Sequence, residues 1–414
     1  MQMIGCDIPG AVLWKTELMF RGVRYTPELA AAVSEGAAEN YWPYTRRDAA
    51  SRLLQIPIPH LFRLENGSVA RVRVDDTSDL AVRRAERGDG FALCDGDGPL
   101  YPIDFVQAPS WQSLRTSDGF SHYEAGVEQL GDMLVVNVAP GCEYHRSNND
   151  AGESMKCAFC AHGRFGPRST ALGQVPGQEA PGPHALRRLE EVLRAAAASG
   201  EARHVSVTGG SLLGPAQEAE RYLPILVTCR RAVGDRLTVT CGSGAVDKVH
   251  SRRFRDAGAD SCCYNMETWD AATFEAVLPG KARYVGRERW IEGLLGAVEV
   301  FGWGRVATAF VAGIEMLPPA PGMDADEMLD SIVEGAAFLL DHGVVPLYSP
   351  LWPVAGTAYR LDQGLQPEVY LQLEMEVFRL RQERQFPVPA WLTCPGCSHM
   401  LLEVDFDREF GLAG

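Results

Sequence analysis

From residue 131 onward the chain alternates strand-like and helix-like periods, and this alternation leaves few folds open. Runs at 133–139, 204–208, 237–241, 261–266, 305–312 and 344–349 read as strands. Stretches at 184–198, 215–232, 247–257, 287–301, 324–341 and 366–384 read as helices. Six βα units in succession predict parallel strands with helices outside, in a complete or incomplete barrel. Such folds place their chemistry at the carboxyl ends of the strands. The residues that follow each strand therefore carry most of the functional information.

Residues 1–130 do not continue that rhythm. Short helices are expected at 26–38 and 46–54, the first opened by Thr26 as a cap and Pro27 at the first helical position. An alternating strand is expected at 69–74 and another at 91–94, with turn residues Gly88, Asp89 and Gly90 before the latter. Asp95, Gly96, Asp97 and Gly98 read as a hairpin turn; a calcium loop would need spaced ligands and a closing glutamate. The expected architecture is α/β: a partial (β/α)6 TIM-type barrel over 131–360, a small N-terminal mixed α/β extension over 1–130, and a C-terminal helix with a cysteine-containing tail over 361–414.

Composition narrows the partners. With 414 residues and 46% hydrophobic content, the chain can bury a large core. A formal charge of −15 gives no electrostatic footprint for nucleic acid. No run of 18 apolar residues and no charged-then-apolar leader is seen, so a cytoplasmic protein without a membrane partner is expected. Eleven cysteines, an odd number, suit metal ligation and free thiols better than a disulfide framework.

The first barrel strand leads into a loop with three of those cysteines. Fourteen residues separate Cys142 from Cys157, and two separate Cys157 from Cys160. Three thiolates on a cubic 4Fe–4S cluster leave one iron open to a small molecule, whereas a structural site with four protein ligands is closed. Phe159 is placed to pack beside such a cluster and keep it dry. The plainer reading is three ordinary thiols, two of them buried.

Later strand ends are polar and small. Gly209, Gly210 and Ser211 close the second strand, where glycines let a ligand approach the backbone or simply permit a tight turn. Cys241, Ser243 and Gly244 close the third. Asn265 and Glu267 follow the fourth, two residues apart and so on one face if the strand continues; they can grip a diol or an amine, or merely open a loop. Arg287 and Arg289 begin the next helix, as an inward carboxylate fork or as solvated charges. Ile314 follows the fifth strand, and Gly356 and Thr357 follow the sixth.

Taken in order, the cysteine triad with its aromatic, Thr208-Gly209-Gly210, and Tyr264-Asn265-Met266-Glu267-Thr268 resemble the radical S-adenosylmethionine (radical SAM) superfamily. Within it the pattern is similar to the biotin synthase and methylornithine synthase group, over about residues 131–360. The resemblance implies a 4Fe–4S cluster on Cys142, Cys157 and Cys160, with S-adenosylmethionine as ligand of the open iron. It implies that Gly209, Gly210 and Ser211 receive the methionine amino group, that Asn265 and Glu267 touch the ribose or the substrate and serve catalysis, that Arg289 meets the methionine carboxylate, and that Ile314 lies against adenine. It further implies a small polar substrate that loses a hydrogen atom to a 5′-deoxyadenosyl radical, and an external one-electron donor of flavodoxin or ferredoxin type. Rearrangement, fragmentation, epimerisation and carbon–carbon bond formation all remain open as the outcome.

This chain departs from the common pattern in two places. Most members have three residues between the first two cysteines, not fourteen. The longer loop adds little closure entropy, and residues 143–156 are expected to cover the site or touch the substrate. Many members carry a glutamate where Ser211 stands. Cysteines are missing from the ends of the second and fifth strands, which argues against sulfur insertion from a second barrel cluster even though Cys241 is near one such position. Residues 1–130 show no βαβ glycine fingerprint of a cobalamin-binding domain.

Cys394 and Cys397 form a Cys-x-x-Cys turn after the last helix. It can hold a second metal, as a structural zinc with His399 or other partners or as part of an auxiliary cluster, or it can be a turn with free thiols. Two rivals follow: a sulfur- or methyl-transferring radical SAM enzyme that uses this C-terminal metal, and a non-catalytic zinc-binding barrel protein.

Overall fold

The computed structural model of the chain describes residues 2–3, 6–39, 58–85, 90–96, 98–122, 125–137, 142–161, 181–354, 356–360 and 362–410. The helix expected at 46–54, the turn residues Gly88 and Asp89, and the last residues of the strand expected at 133–139 lie outside the described residues.

The amino-terminal region builds an antiparallel sheet. Strands β1 (Gln2–Met3) and β2 (Cys6–Asp7) pair with each other and lead into α1 (Gly10–Arg21) and α2 (Pro27–Ser34). Helix α2 starts where the sequence places it: Thr26 Oγ1 accepts the Leu29 amide at 3.1 Å, and Pro27 fills the first position. Strands β3 (Leu61–Leu64), β4 (Val69–Arg71), β5 (Ala81–Arg84), β6 (Phe91–Asp95) and β7 (Gly98–Phe105) then form one sheet in the order β4-β3-β7-β6-β5. Asp95 pairs with Gly98 across the expected hairpin turn. Strand β4 is shorter than the expected 69–74, because Val74 leaves the sheet to bridge Val23 beside α1. Phe62, Leu93 and Phe105 pack with Leu29 of α2 in a small core of this region.

The second sheet is the parallel one. It comprises β8 (Val127–Leu130), β9 (Met133–Asn137), β10 (His204–Thr208), β11 (Thr238–Gly242), β12 (Ser261–Cys263), β13 (Val306–Ala312) and β14 (Val344–Pro350). Neighbours follow chain order from β14 to β8, and only the β8–β9 pair is antiparallel. Strands β8 and β14 stand at the two edges without pairing to each other, so the barrel is partial. Helices connect the strands: α3 (Pro183–Ser199), α4 (Pro215–Val233), α5 (Lys248–Asp256), the short α6 (Ala271–Val277) and α7 (Pro279–Tyr284), α8 (Arg287–Phe301), α9 (Ala325–Asp341), and α10 (Pro367–Glu383) after β14. Six parallel strands with their helices match the alternation in the sequence. Strand β8 joins this sheet from before residue 131.

One strand is shorter than its sequence pattern. The run expected at 261–266 ends at Cys263 as a regular strand, and beyond it side chains join the backbone in the bonds to β13. The Met266 amide donates to Thr308 Oγ1 at 2.9 Å, and the Ala309 amide donates to Asn265 Oδ1 at 3.3 Å. Among the described residues no helix is long and apolar enough to cross a membrane.

The two sheets are tied through the ends of the chain. After α10 the tail reaches α11 (Glu403–Glu409), and Lys15 of α1 points into it. The Lys15 ammonium is fully buried and donates to the carbonyls of Ser398 (2.9 Å) and Leu401 (2.7 Å) and to Asp405 Oδ2 (2.6 Å). The other Asp405 oxygen accepts from Ser68 beside β4. Such a pair stabilises little in total, but removing one member strands a buried charge. Lys15→Met should therefore lower unfolding free energy by about 3–5 kcal/mol, read by urea denaturation of the full chain.

Candidate active site

The carboxyl ends of the parallel strands carry polar backbone groups beyond the reach of a neighbouring strand, and helix side chains satisfy them. Glu218 of α4 is buried and accepts two amides, Leu212 at 2.9 Å and Gly244 at 2.6 Å, so it joins the loops after β10 and β11. Burial raises its pKa above the ordinary value. Arg221, one turn further along, donates to the Gly210 carbonyl, and Tyr222 Oη donates to the Gly242 carbonyl at 2.9 Å. Gly209, Gly210 and Ser211 thus lie on a braced strand end.

The cysteine loop docks against that end. Cys142 precedes a 3-10 turn, Glu143–His145. The Glu143 amide donates to the Ser211 carbonyl at 2.8 Å, and Glu143 Oε2 accepts the Leu213 amide at 2.8 Å. The Cys142 sulfur meets backbone N–H groups of Ser211, Tyr144 and His145, although burial is the larger influence and pushes its pKa up. Further along, the Ala158 amide donates to the Val277 carbonyl (2.9 Å), the Ala358 amide to the Ala158 carbonyl (2.8 Å), and Lys156 Nζ to the Gly356 carbonyl (2.8 Å). Tyr144 packs on Gly280, where a Cβ would come within 2.5 Å of the ring, and it stacks on Tyr284. Residues 143–156 are in this way a wall between the end of β10 and α7. Phe159 is half-buried against the main core.

The three thiols share one neighbourhood. Cys157 is buried, and burial above all holds its thiol well above the ordinary range; Cys160, Cys142 and Glu267 raise it further, and Lys281 opposes them. Lys281 lies on α7. Its ammonium is buried, 2.7 Å from Glu267 Oε1 and 2.6 Å from the Asn265 carbonyl, and it lies 4.6 Å from the centre of the Trp290 ring. Burial works against its charge, but Glu267 and the thiols of Cys157 and Cys142 outweigh it, leaving the pKa raised.

Asn265 and Glu267 therefore meet at Lys281, though not as alternate residues of one strand. Both lie beyond β12, and Glu267 has φ 76°, a left-handed backbone that a glutamate seldom adopts. Such outliers concentrate at functional sites. The Asn265 side chain accepts from Cys263 Sγ at 3.0 Å as well as from the Ala309 amide.

The remaining candidates are more scattered. Arg289 is exposed on α8, whereas half-buried Arg287 donates to the Trp269 carbonyl at 2.9 Å and lies over the Trp269 ring. Ile314 is fully buried in the main core after β13. Its neighbour Glu315 is also buried, accepting from Thr268 Oγ1 (2.7 Å) and the Gly313 amide (3.2 Å). Tyr359, beyond β14, feels both Glu315 and Cys157, and its buried hydroxyl makes no hydrogen bond among the described residues. His162 lies outside the described residues. Cys241 and Cys262 are fully buried, packed thiols.

No family model matches the chain. Over 278 residues it is 24% identical to bacteriochlorophyllide c C-7(1)-hydroxylase of Chlorobaculum limnaeum, a match that covers 65% of this chain and 64% of that protein. The chain thus spans a little under two thirds of that relative's length. Similar solved structures include methylornithine synthase, with 16% identity, 72% of this chain and 78% of the other covered, and a TM-score of 0.42. They also include a radical SAM methyltransferase from Sphaerobacter thermophilus, with 14% identity, 75% and 76% covered, and a TM-score of 0.41. A third is the radical SAM enzyme coproporphyrinogen III oxidase of Escherichia coli, with 12% identity, 64% and 55% covered, and a TM-score of 0.38.

Glu315 gives the site a pH signature. Burial above all raises its pKa from 4.5 to about 7. The folded state then holds the proton more tightly than the unfolded state, so this contribution is complete below pH 4.5 and is lost as pH rises through about 7. An amide can still accept from Gly313 and donate to Thr268 without titrating. Glu315→Gln should flatten the fall in stability over this range, by at most ~1.4 kcal/mol per pH unit, as followed by denaturation at a series of pH values.

Proposed function

We propose that the chain is a radical SAM enzyme whose 4Fe–4S cluster is held by Cys142, Cys157 and Cys160, and that it acts on a small polar substrate. The observation that supports this reading is that Cys142 and Cys160 both bear electrostatically on the buried Cys157, alongside the Glu267–Lys281 ion pair. The residues suit such a group. Cys142 and Cys157 are thiols that burial keeps protonated, and metal ligation is what ionises thiols in this setting. Amide N–H groups directed at a cluster sulfur and a nearby buried ammonium both favour the negative charge that such a centre carries.

The cluster held by Cys142, Cys157 and Cys160 would supply one-electron reduction, and S-adenosylmethionine the hydrogen-abstracting deoxyadenosyl radical. The chain's own residues position and exclude. Gly209 and Gly210 leave room for a ligand close to the backbone, and Ser211 presents its N–H beside Cys142. Lys281 fixes the Glu267 carboxylate, so that its second oxygen is oriented toward a hydroxyl or ammonium group of a ligand. Asn265 keeps its amide group at the rim, and the wall of residues 143–156 shields the site from water on the α7 side. An external one-electron donor of flavodoxin or ferredoxin type completes the system.

Anaerobically reconstituted wild-type protein should be brown and form 5′-deoxyadenosine when reduced with S-adenosylmethionine. Cys157→Ala should lose both the bound iron and the product; a colourless wild type with stoichiometric zinc and no 5′-deoxyadenosine would refute the reading. Glu267→Gln should keep its iron but form 5′-deoxyadenosine on the order of a hundredfold more slowly, as measured by product chromatography.

A further inference from the structure

The tail after α10 brings Cys394 and Cys397 back to the turn between β8 and β9. There the Asp132 amide donates to Cys394 Sγ at 3.3 Å, and Cys397 Sγ donates to Asp132 Oδ1 at 3.0 Å. A carboxylate oxygen and the two sulfurs all lie within 4.8 Å of one another. Two glycines make this approach possible. Gly131 has φ +59°, and a Cβ on it would come within 2.6 Å of Cys394 Sγ; a Cβ on Gly396 would come within 2.3 Å of Gly131 Cα.

We propose that Asp132, Cys394 and Cys397 bind a single divalent transition-metal ion, best matched by zinc. Two thiolates with a carboxylate form a zinc donor set. Two sulfurs on one tetrahedral zinc, each about 2.3 Å from it, stand roughly 3.8 Å apart, and the observed group is compact enough for that. A cubic cluster puts each thiolate on a different iron and spreads them further, so one ion suits this spacing better than an auxiliary cluster.

His204 lies beside Asp132 without joining the three ligand atoms, and the fourth position is left to a water. Its Nδ1 is fixed 2.6 Å from Thr238 Oγ1, and its Nε2 stands 3.8 Å from Asp132 Oδ1. His399, the partner first suggested by sequence proximity, is otherwise engaged. Its Nδ1 lies 2.7 Å from the Gly396 carbonyl and its Nε2 3.4 Å from Arg71 Nη1. Binding releases the thiol protons of Cys394 and Cys397, moves no electron, and leaves one net negative charge on the ion and its three anionic ligands. The site sits at the amino end of β9, one strand length from the loop that carries Cys142, and its role is to clamp the tail to the hairpin.

The test is a zinc titration of the full-length chain, reduced and anaerobic, against a chromophoric chelator, with bound zinc counted by elemental analysis. A variant with Cys142, Cys157 and Cys160 all changed to serine removes the other thiol site. It should still take one zinc per chain and gain thermal stability from it. Asp132→Asn in that background should weaken zinc binding by roughly tenfold or more, and Cys394→Ser should abolish it. Should the tail variant fail to fold, the Asp132→Asn arm still decides the matter. The proposal is overturned if the triple variant binds no zinc, or if Asp132→Asn binds it as tightly as its parent.

Discussion

Parallel strands leave their last amides and carbonyls without a partner where the ladder stops, and an unpaired buried group of this kind costs about 1–3 kcal/mol. The architecture of the site follows from meeting that demand. Glu218, Arg221 and Tyr222, all on α4, satisfy the ends of β10 and β11. Trp290 Nε1 donates to the Tyr264 carbonyl at 3.0 Å, and Lys281 serves the Asn265 carbonyl. The helices thus hold the strand ends in place as well as covering the sheet, and the site inherits its rigidity from them.

The same demand explains what could be read from the sequence. Strands and helices of the barrel were legible because burial imposes a period on each element, and that period survives in one dimension. The exception, β12, lost its last residues to Asn265 and Thr308, whose side chains imitate the ladder from forty-odd positions apart. Lys281 and Glu218 were not legible as site residues for a similar reason. Each is defined by its spatial partners, Glu267 for one and two distant loop amides for the other, and nothing local distinguishes a lysine after Pro279-Gly280 from a turn residue. Strand alternation points to Asn265 and Glu267, yet what unites them is a lysine of α7.

The amino-terminal sheet shows a different limit. Its strands are short, and its hairpin chemistry was visible, but its attachment was not. Lys15 is a charged residue within an otherwise unremarkable helix, and its burial depends on carbonyls almost four hundred residues away. The first helix and the last are held by one ammonium, so the amino-terminal region and the barrel share their stability through the chain's two ends.

The cysteine loop has an anchored base and a projecting tip. Glu143, Tyr144, Lys156 and Ala158 fasten it to three separate parts of the barrel. Between them Asn148 bridges Ser154, and Asn149 turns the chain by accepting the amides of Ala151 and Glu153. The spacing between the first two cysteines is consequently decoupled from the placement of their sulfurs. Residues could be added or lost at the Asn149–Glu153 tip, much as a hem is let out, while the seam that holds the thiols stays where it is.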